Sequence, residues 1–281
     1  MTTEDSPSAA DPGTTGGMPP APVSSRTETD SPPTPADPRA GVPSPVTEPA
    51  AATGSPNSPP AEASLREIFP YAAPLLAFLL LGSLEGMLPS ADWYPLAYTA
   101  KVGIVAVVAW ICRSTWRDLR PLPTPVTTIL AVAAGILVFL LWVGLDGLYP
   151  TFPWLGQRAS FDPSGLESPV RQAFLAVRLA GLVVLVPWIE ELFWRSFLIR
   201  WLIKPNFLSV PVGKVTPTAA IVSSGAFALV HPEWLPAFLT GLLWAGLLGR
   251  SGSLAACVLS HAVANLALGL YVLTTGAWKY W

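Results

Sequence analysis

The stretch "VPWIEELFWRSFLIRWLIK" (186–204) sets two adjacent carboxylates, Glu190 and Glu191, into an apolar run, with Arg195 and Arg200 behind them. Ionisable side chains inside such runs are rare and mark functional sites by default. Two later apolar runs are also interrupted. His231 ends "FALVH", and His261 stands four residues before Asn265 in "LSHAVANLAL". Residues four apart share a helix face, so Glu191 pairs with Arg195, Phe227 with His231, and His261 with Asn265. The chain has only these two histidines, so any imidazole chemistry falls to them.

These residue types suit the activation of water. A carboxylate shielded from bulk solvent can serve as general base near neutral pH, and His and Asn side chains can stabilise a developing oxyanion. Equally, Glu190, His231 and His261 could hold Zn²⁺ with one position open for water. Both routes end in hydrolysis. No Ser or Cys lies in a recognisable nucleophile motif, and no His-Glu-x-x-His occurs. Each feature has a plainer reading. Glu191–Arg195 could be an intrahelical ion pair, His231 before Pro232 a helix-end cap, and His261–Asn265 interhelical hydrogen-bond glue. Their coincidence in three runs of one half of the chain favours a common site.

The elements that must position them are membrane helices. The chain of 281 residues is 51% hydrophobic and only 12% charged, with mean hydropathy +0.48, against about 25% charged in soluble domains. Apolar runs at about 71–90, 94–112, 124–145, 176–203, 215–231, 233–249 and 253–275 predict an all-α, polytopic transmembrane helix bundle of about seven spans, in a range of six to eight. Residues 1–62 are rich in Pro, Ser, Thr and Ala without apolar periodicity, which predicts a disordered tail. The tail has 2 Lys+Arg against 8 Asp+Glu, leaving 14 against 10 for the rest. The division expected is 1–62 tail, 63–167 N-terminal transmembrane helices and 168–281 catalytic core. Three Arg in "RSTWRDLR" (113–120) place that loop and the tail in the cytoplasm and 146–167 outside. Arg200, Lys204, Lys214 and Arg250 then fall inside, Glu85 reaches the outer interface, and Arg178 snorkels outward or joins an ion pair. For Glu190 to lie near mid-membrane, its span must run about 180–203, with "SPVRQAFLAVRL" (168–179) as an interfacial amphipathic helix carrying Arg171 and Arg178 on the outside.

The order Glu-Glu-x-x-x-Arg (190–195), Phe-x-x-x-His (227–231) and His-x-x-x-Asn (261–265) resembles the CPBP family of intramembrane proteases, relatives of the CAAX prenyl endopeptidase also called the Abi family. The resemblance covers roughly residues 170–275. It implies a membrane enzyme with a polar cavity among its helices, hydrolysing a peptide bond of a membrane-associated peptide or protein. By motif position it implies Glu190 as the activator of water and Glu191 as its support or the partner of Arg195. It also puts His231 beside Glu190, with His261 and Asn265 completing the site or binding the oxyanion, and Phe227 in support. Zinc on Glu190, His231 and His261, or a metal-free glutamate mechanism, both suit these residues. The context "VP-x-x-EE-x-x-W-R-x-F" also looks like CAAX-protease-related proteins associated with exosortase-type sorting systems, which implies a bacterial inner membrane and such a system as partner. Lipid is the other partner expected, and nucleic acid is not. The alternatives are a non-catalytic scaffold or immunity-type protein that keeps the fold and, further off, a transporter, since buried Glu and His also form proton relays.

Overall fold

The computed structural model describes residues 62–87, 90–155 and 160–280. The reading of residues 1–62 as a disordered tail falls, but for Glu62, outside them. Among the described residues the fold is all-α. Seven helices run in chain order: α1 (Leu65–Glu85), α2 (Tyr94–Ile111), α3 (Pro125–Gly144), α4 (Ser168–Ile203), α5 (Pro217–Leu229), α6 (Trp234–Ser251) and α7 (Leu254–Thr275). Their starts are written in local chemistry. Thr-Pro opens both α3 and α5. The hydroxyls of Thr124 and Thr216 accept from Thr127 N–H and Ala219 N–H at 3.3 and 3.2 Å, with proline at the first helical position. α1 begins six residues earlier than its apolar run suggests. Ser64 and Glu67 form a capping box, with Ser64 N–H donating to Glu67 Oε2 at 2.8 Å, and the helix continues through Pro70 and Pro74.

Five helices, α1 to α4 and α7, are long and apolar enough to cross a membrane, and the chain is an integral membrane protein. α5, with 13 residues, spans about 20 Å, short of the roughly 30 Å hydrocarbon core. It is one arm of a tight hairpin with α6. At Gly241 an added Cβ would sit 2.7 Å from Ser224 Oγ. α1 packs on α2 and on the middle of α4, α3 runs along α7, and α7 packs on α4.

One end of the bundle is tied by a buried polar network. Asp118 Oδ2 accepts from Tyr71 Oη (2.8 Å), Ser196 Oγ (2.6 Å) and Arg200 Nη2 (2.6 Å). Arg200, expected as a flanking cytoplasmic charge, is therefore buried, because Asp118 compensates it. At the other end, Glu85 is not a free charge. It is buried in an ion pair with Lys101. Nor does Arg178 snorkel. It is 5% exposed, bonds Tyr94 Oη and lies over the Tyr98 ring at 4.7 Å.

The largest correction concerns 168–179. It is not a separate interfacial helix but the first third of the 36-residue α4. Phe174, 2% exposed, and Arg178 pack one face of this segment against the aromatic side chains of α2, and the helix runs on from it without interruption. The chain does not break near 180. It widens there into a π-helical stretch, Gly181–Leu185, and again at Leu192–Leu198.

The α3–α7 contact depends on Gly135, where an added Cβ would lie 2.4 Å from Ser260 O and 2.8 Å from Val263 Cβ. Gly135→Ala is expected to lower stability by about 1–3 kcal/mol through overpacking. Gly144→Ala, with nothing within 4 Å, is expected to leave it unchanged. Thermal unfolding of both variants in detergent measures the difference.

Candidate active site

Glu190 and Glu191 occupy a short α-helical interval, Val186–Glu191, between the two π stretches. Helix widening of this kind recurs at functional sites, and here its cause can be followed. Val186 N–H bonds Gly181 O, the five-residue spacing of a π turn. The next bond in that register would run from residue 187 to Leu182 O, but Pro187 has no N–H. Asn265 supplies the missing donor, its Nδ2 bonding Leu182 O at 2.7 Å. The asparagine of the His-x-x-x-Asn pattern thus fixes α7 against the opened backbone of α4.

A cavity of about 360 Å³ is lined by Glu190, Phe227, His231, His261 and Asn265, together with Trp244. Five of the seven side chains expected at the site therefore share one space. The other two, Glu191 and Arg195, lie behind it. Glu191 is fully buried, with Oε1 3.0 Å from His261 Nδ1 and Oε2 3.2 Å from Arg195 Nε. The Arg195 guanidinium is held between the rings of Phe227 and Trp244, 4.7 and 4.9 Å from their centroids. Cation–π attraction of this kind strengthens when the cation is desolvated.

Glu190 is placed differently. It is 7% exposed, it lines the cavity, and among the described residues no side chain or backbone group makes a hydrogen bond to it. What remains to solvate it is the content of the cavity. The two imidazoles are oriented from behind. A carboxylate and a carbonyl only accept, so His261 Nδ1 donates to Glu191, and His231 Nδ1 donates to Phe227 O at 2.8 Å. Each ring then keeps Nε2 for the cavity. His231 reaches this depth because α5 is short. Phe227 packs on its ring at 4.4 Å, and Trp142 of α3 meets it edge-on at 6.0 Å.

Three contributors were not legible as site residues. Trp244 stacks on His261 at 4.3 Å and 27°, and its Nε1 donates to Ser260 Oγ at 2.9 Å. In sequence it is one of twelve Trp in an apolar run, and an interfacial anchor is the reading its type suggests. Ser260 offers only its adjacency to His261. The third is the apolar wall from outside 168–281, formed by Phe78 of α1 and Val138, Phe139 and Trp142 of α3. As donors for a metal, Glu190, His231 and His261 line one cavity but do not close into a ligand set. Among the described residues no three of His, Cys, Asp and Glu are grouped to hold an ion.

Neither a curated protein nor a solved structure matches the chain. A family model described as Type II CAAX prenyl endopeptidase Rce1-like matches residues 172–267. That segment runs from the first part of α4 to beyond Asn265 on α7 and contains every motif residue of the cavity. The α4–α7 segment of this membrane protein is therefore similar to the Rce1-like type II CAAX prenyl endopeptidases.

Proposed function

We propose that the protein is an intramembrane endopeptidase in which Glu190 activates a water molecule for attack on a peptide carbonyl. The observation that carries this reading is the asymmetry of the carboxylate pair. Glu191 is ion-paired with Arg195 and hydrogen-bonded to His261, whereas Glu190 faces the cavity and, among the described residues, makes no hydrogen bond or ion pair. A general base must be within reach of the water it deprotonates and must not be committed elsewhere. In this scheme the proton of water passes to Glu190 as its oxygen bonds to the carbonyl carbon. The second N–H of Asn265 Nδ2 is the neutral donor for the oxyanion, and the Nε2 atoms of His231 and His261 orient the water by accepting from it. When the C–N bond breaks, Glu190 returns its proton to the leaving amine, giving a new carboxylate and a new amine. Substrates are peptides or proteins held in the membrane, since the cavity is reached among helices. The charge of its loops supports the 1–62 tail in the cytoplasm, and the resemblance of its Glu-Glu context supports a bacterial inner membrane, where an exosortase-type sorting system is a candidate source of substrates.

A metal-dependent form is the second reading. In both imidazoles Nδ1 is tied to an oxygen acceptor, the arrangement that orients Nε2 toward a metal. Because Glu190, His231 and His261 do not converge, no step above is routed through an ion. The glutamate reading expects cleavage by protein dialysed against a chelator to equal that of untreated protein. Loss on chelation, recovered by added zinc, would move the three residues into a ligand set.

The carboxylates are separated by paired substitutions. Glu190→Gln is expected to abolish processing, seen as an uncleaved precursor accumulating in the membrane proteome, with thermal stability in detergent unchanged. Glu191→Gln is expected to lose about 3–5 kcal/mol of stability as well, because it leaves Arg195 a buried cation without a counter-charge. Normal processing by a stable Glu190→Gln protein would return the chain to the scaffold reading.

A further inference from the structure

The two ends of the bundle differ in charge, and the cavity opens at only one of them. The end formed by the start of α1, the 112–124 connection, the end of α4, the 204–216 connection and the α6–α7 turn is one structural unit. Asp118 meets Arg200, Ser253 Oγ donates to Pro121 O at 2.7 Å, and Ala63 N–H bonds Pro205 O. It gathers Arg66, Arg113, Arg117, Arg120, Arg200, Lys204, Lys214 and Arg250 against Glu62, Glu67 and Asp118. Among the described residues the opposite end holds Arg171, Arg178, Lys101 and Lys279 against Glu85, Asp92, Asp146, Asp162, Glu167 and Glu233. An excess of Lys and Arg in the short loops marks the cytoplasmic side. None of the residues lining the cavity comes from the basic end. From Glu190 and His261 the space runs past Leu182 and Leu268 to Glu233, Lys279 and Tyr280. There Tyr280 Oη bonds Asp146 and Trp234 Nε1 bonds Pro150 O, both at 2.8 Å.

We infer that the cavity opens on the extracytoplasmic face, so that the substrate is a membrane-anchored polypeptide whose scissile bond lies in the outer half of the bilayer or just outside it, as in an exported protein or its anchor. The residues that meet such a chain follow from its path. Lys279, Tyr280 and Glu233 take the polar portion that emerges from the membrane, while Phe78, Val138 and Leu268 take its apolar portion. The scissile peptide itself must be unwound to reach Glu190, because a helix within the hydrocarbon core has its backbone groups internally bonded. A substrate confined to the cytoplasmic leaflet could reach Glu190 only by crossing the buried Asp118–Arg200 network and the packed start of α7.

This inference rests on the proteolytic reading for its substrate, and on charge and geometry alone for its orientation, so the test has two arms. The two native cysteines, Cys112 and Cys257, are buried and stay in place. Single Leu148→Cys and Lys214→Cys variants of the full chain put one thiol at each end, both at exposed positions. A membrane-impermeant maleimide on intact cells is expected to label Leu148→Cys and to label Lys214→Cys only after permeabilisation; the reverse pattern overturns the orientation. In the second arm, mass spectrometry of the new termini produced by wild-type and absent with Glu190→Gln is expected to map the cut to extracytoplasmic or outer-leaflet sequence. A cut on the cytoplasmic side overturns the substrate class even with the orientation upheld. If Glu190→Gln produces no difference in termini, the proteolytic reading fails and the substrate class with it, while the labelling result for orientation is unaffected.

Discussion

A carboxylate buried in an apolar helix bundle must be compensated, and the structure is arranged around the compensation of Glu191. Removing such a group from water costs several kcal/mol even after relaxation. Glu191 recovers this through Arg195 one turn along α4 and through His261 on α7. Arg195 then needs its own surroundings, which Phe227 of α5 and Trp244 of α6 provide with their ring faces. A single buried charge therefore draws together α4, α5, α6 and α7. The same contacts fix His261, which is bonded on one edge and stacked on one face.

The second consequence falls on the backbone. Two π stretches flank the carboxylates, and each leaves carbonyls that an α-helix would have used. Leu182 O is taken by Asn265, while Trp194 O keeps Ile199 N–H in the π spacing and also accepts from Ser223 Oγ at 3.3 Å. At Leu182 a side chain on a neighbouring helix thus replaces a lost ladder bond, as must happen where no water can. The reward is position. Within the α-helical interval between the widened turns adjacent residues point about 100° apart, so Glu190 meets the cavity while Glu191 meets the core.

Much of this was legible before any coordinates. Apolar runs of helical length locate all seven helices to within a few residues, except at the starts of α4 and α1; at α1 the reason is local. The Ser64–Glu67 capping box lies ahead of the run, and the helix it starts continues through Pro70 and Pro74. The motif residues were legible because charge and imidazole are conspicuous in apolar sequence. The boundary at 180 was not, because hydropathy measures burial in lipid and burial in protein alike. Phe174 and Arg178 read as amphipathic whether they face headgroups or the tyrosines of α2. Arg200 and Glu85 failed for a related reason. A charge near a helix end is ordinarily solvated, and only a distant partner, Asp118 or Lys101, changes that. Trp244 was invisible because its role depends on what stacks against it.

The depth of His231 was the sharpest conflict in the sequence, since a histidine closing a full span would lie at the surface, away from a mid-membrane glutamate. Helix length resolves it. Counting from the basic end, α5 reaches Leu229 after about 20 Å, and the 14 residues from Ile203 back to Glu190 on α4 cover a similar distance. The hairpin of α5 and α6 therefore turns within the membrane, where irregular backbone survives only if it is covered by protein or lines a cavity. The turn at Val230–Glu233 does both, with Trp234 Nε1 bonded to Pro150 O above it and His231, Pro232 and Glu233 facing the cavity. A shortened helix that brings an imidazole to the level of an uncommitted carboxylate, in a space continuous with one surface, also admits water to that carboxylate. Hydrolysis inside a bilayer needs such a path, because the water consumed there has no other way in.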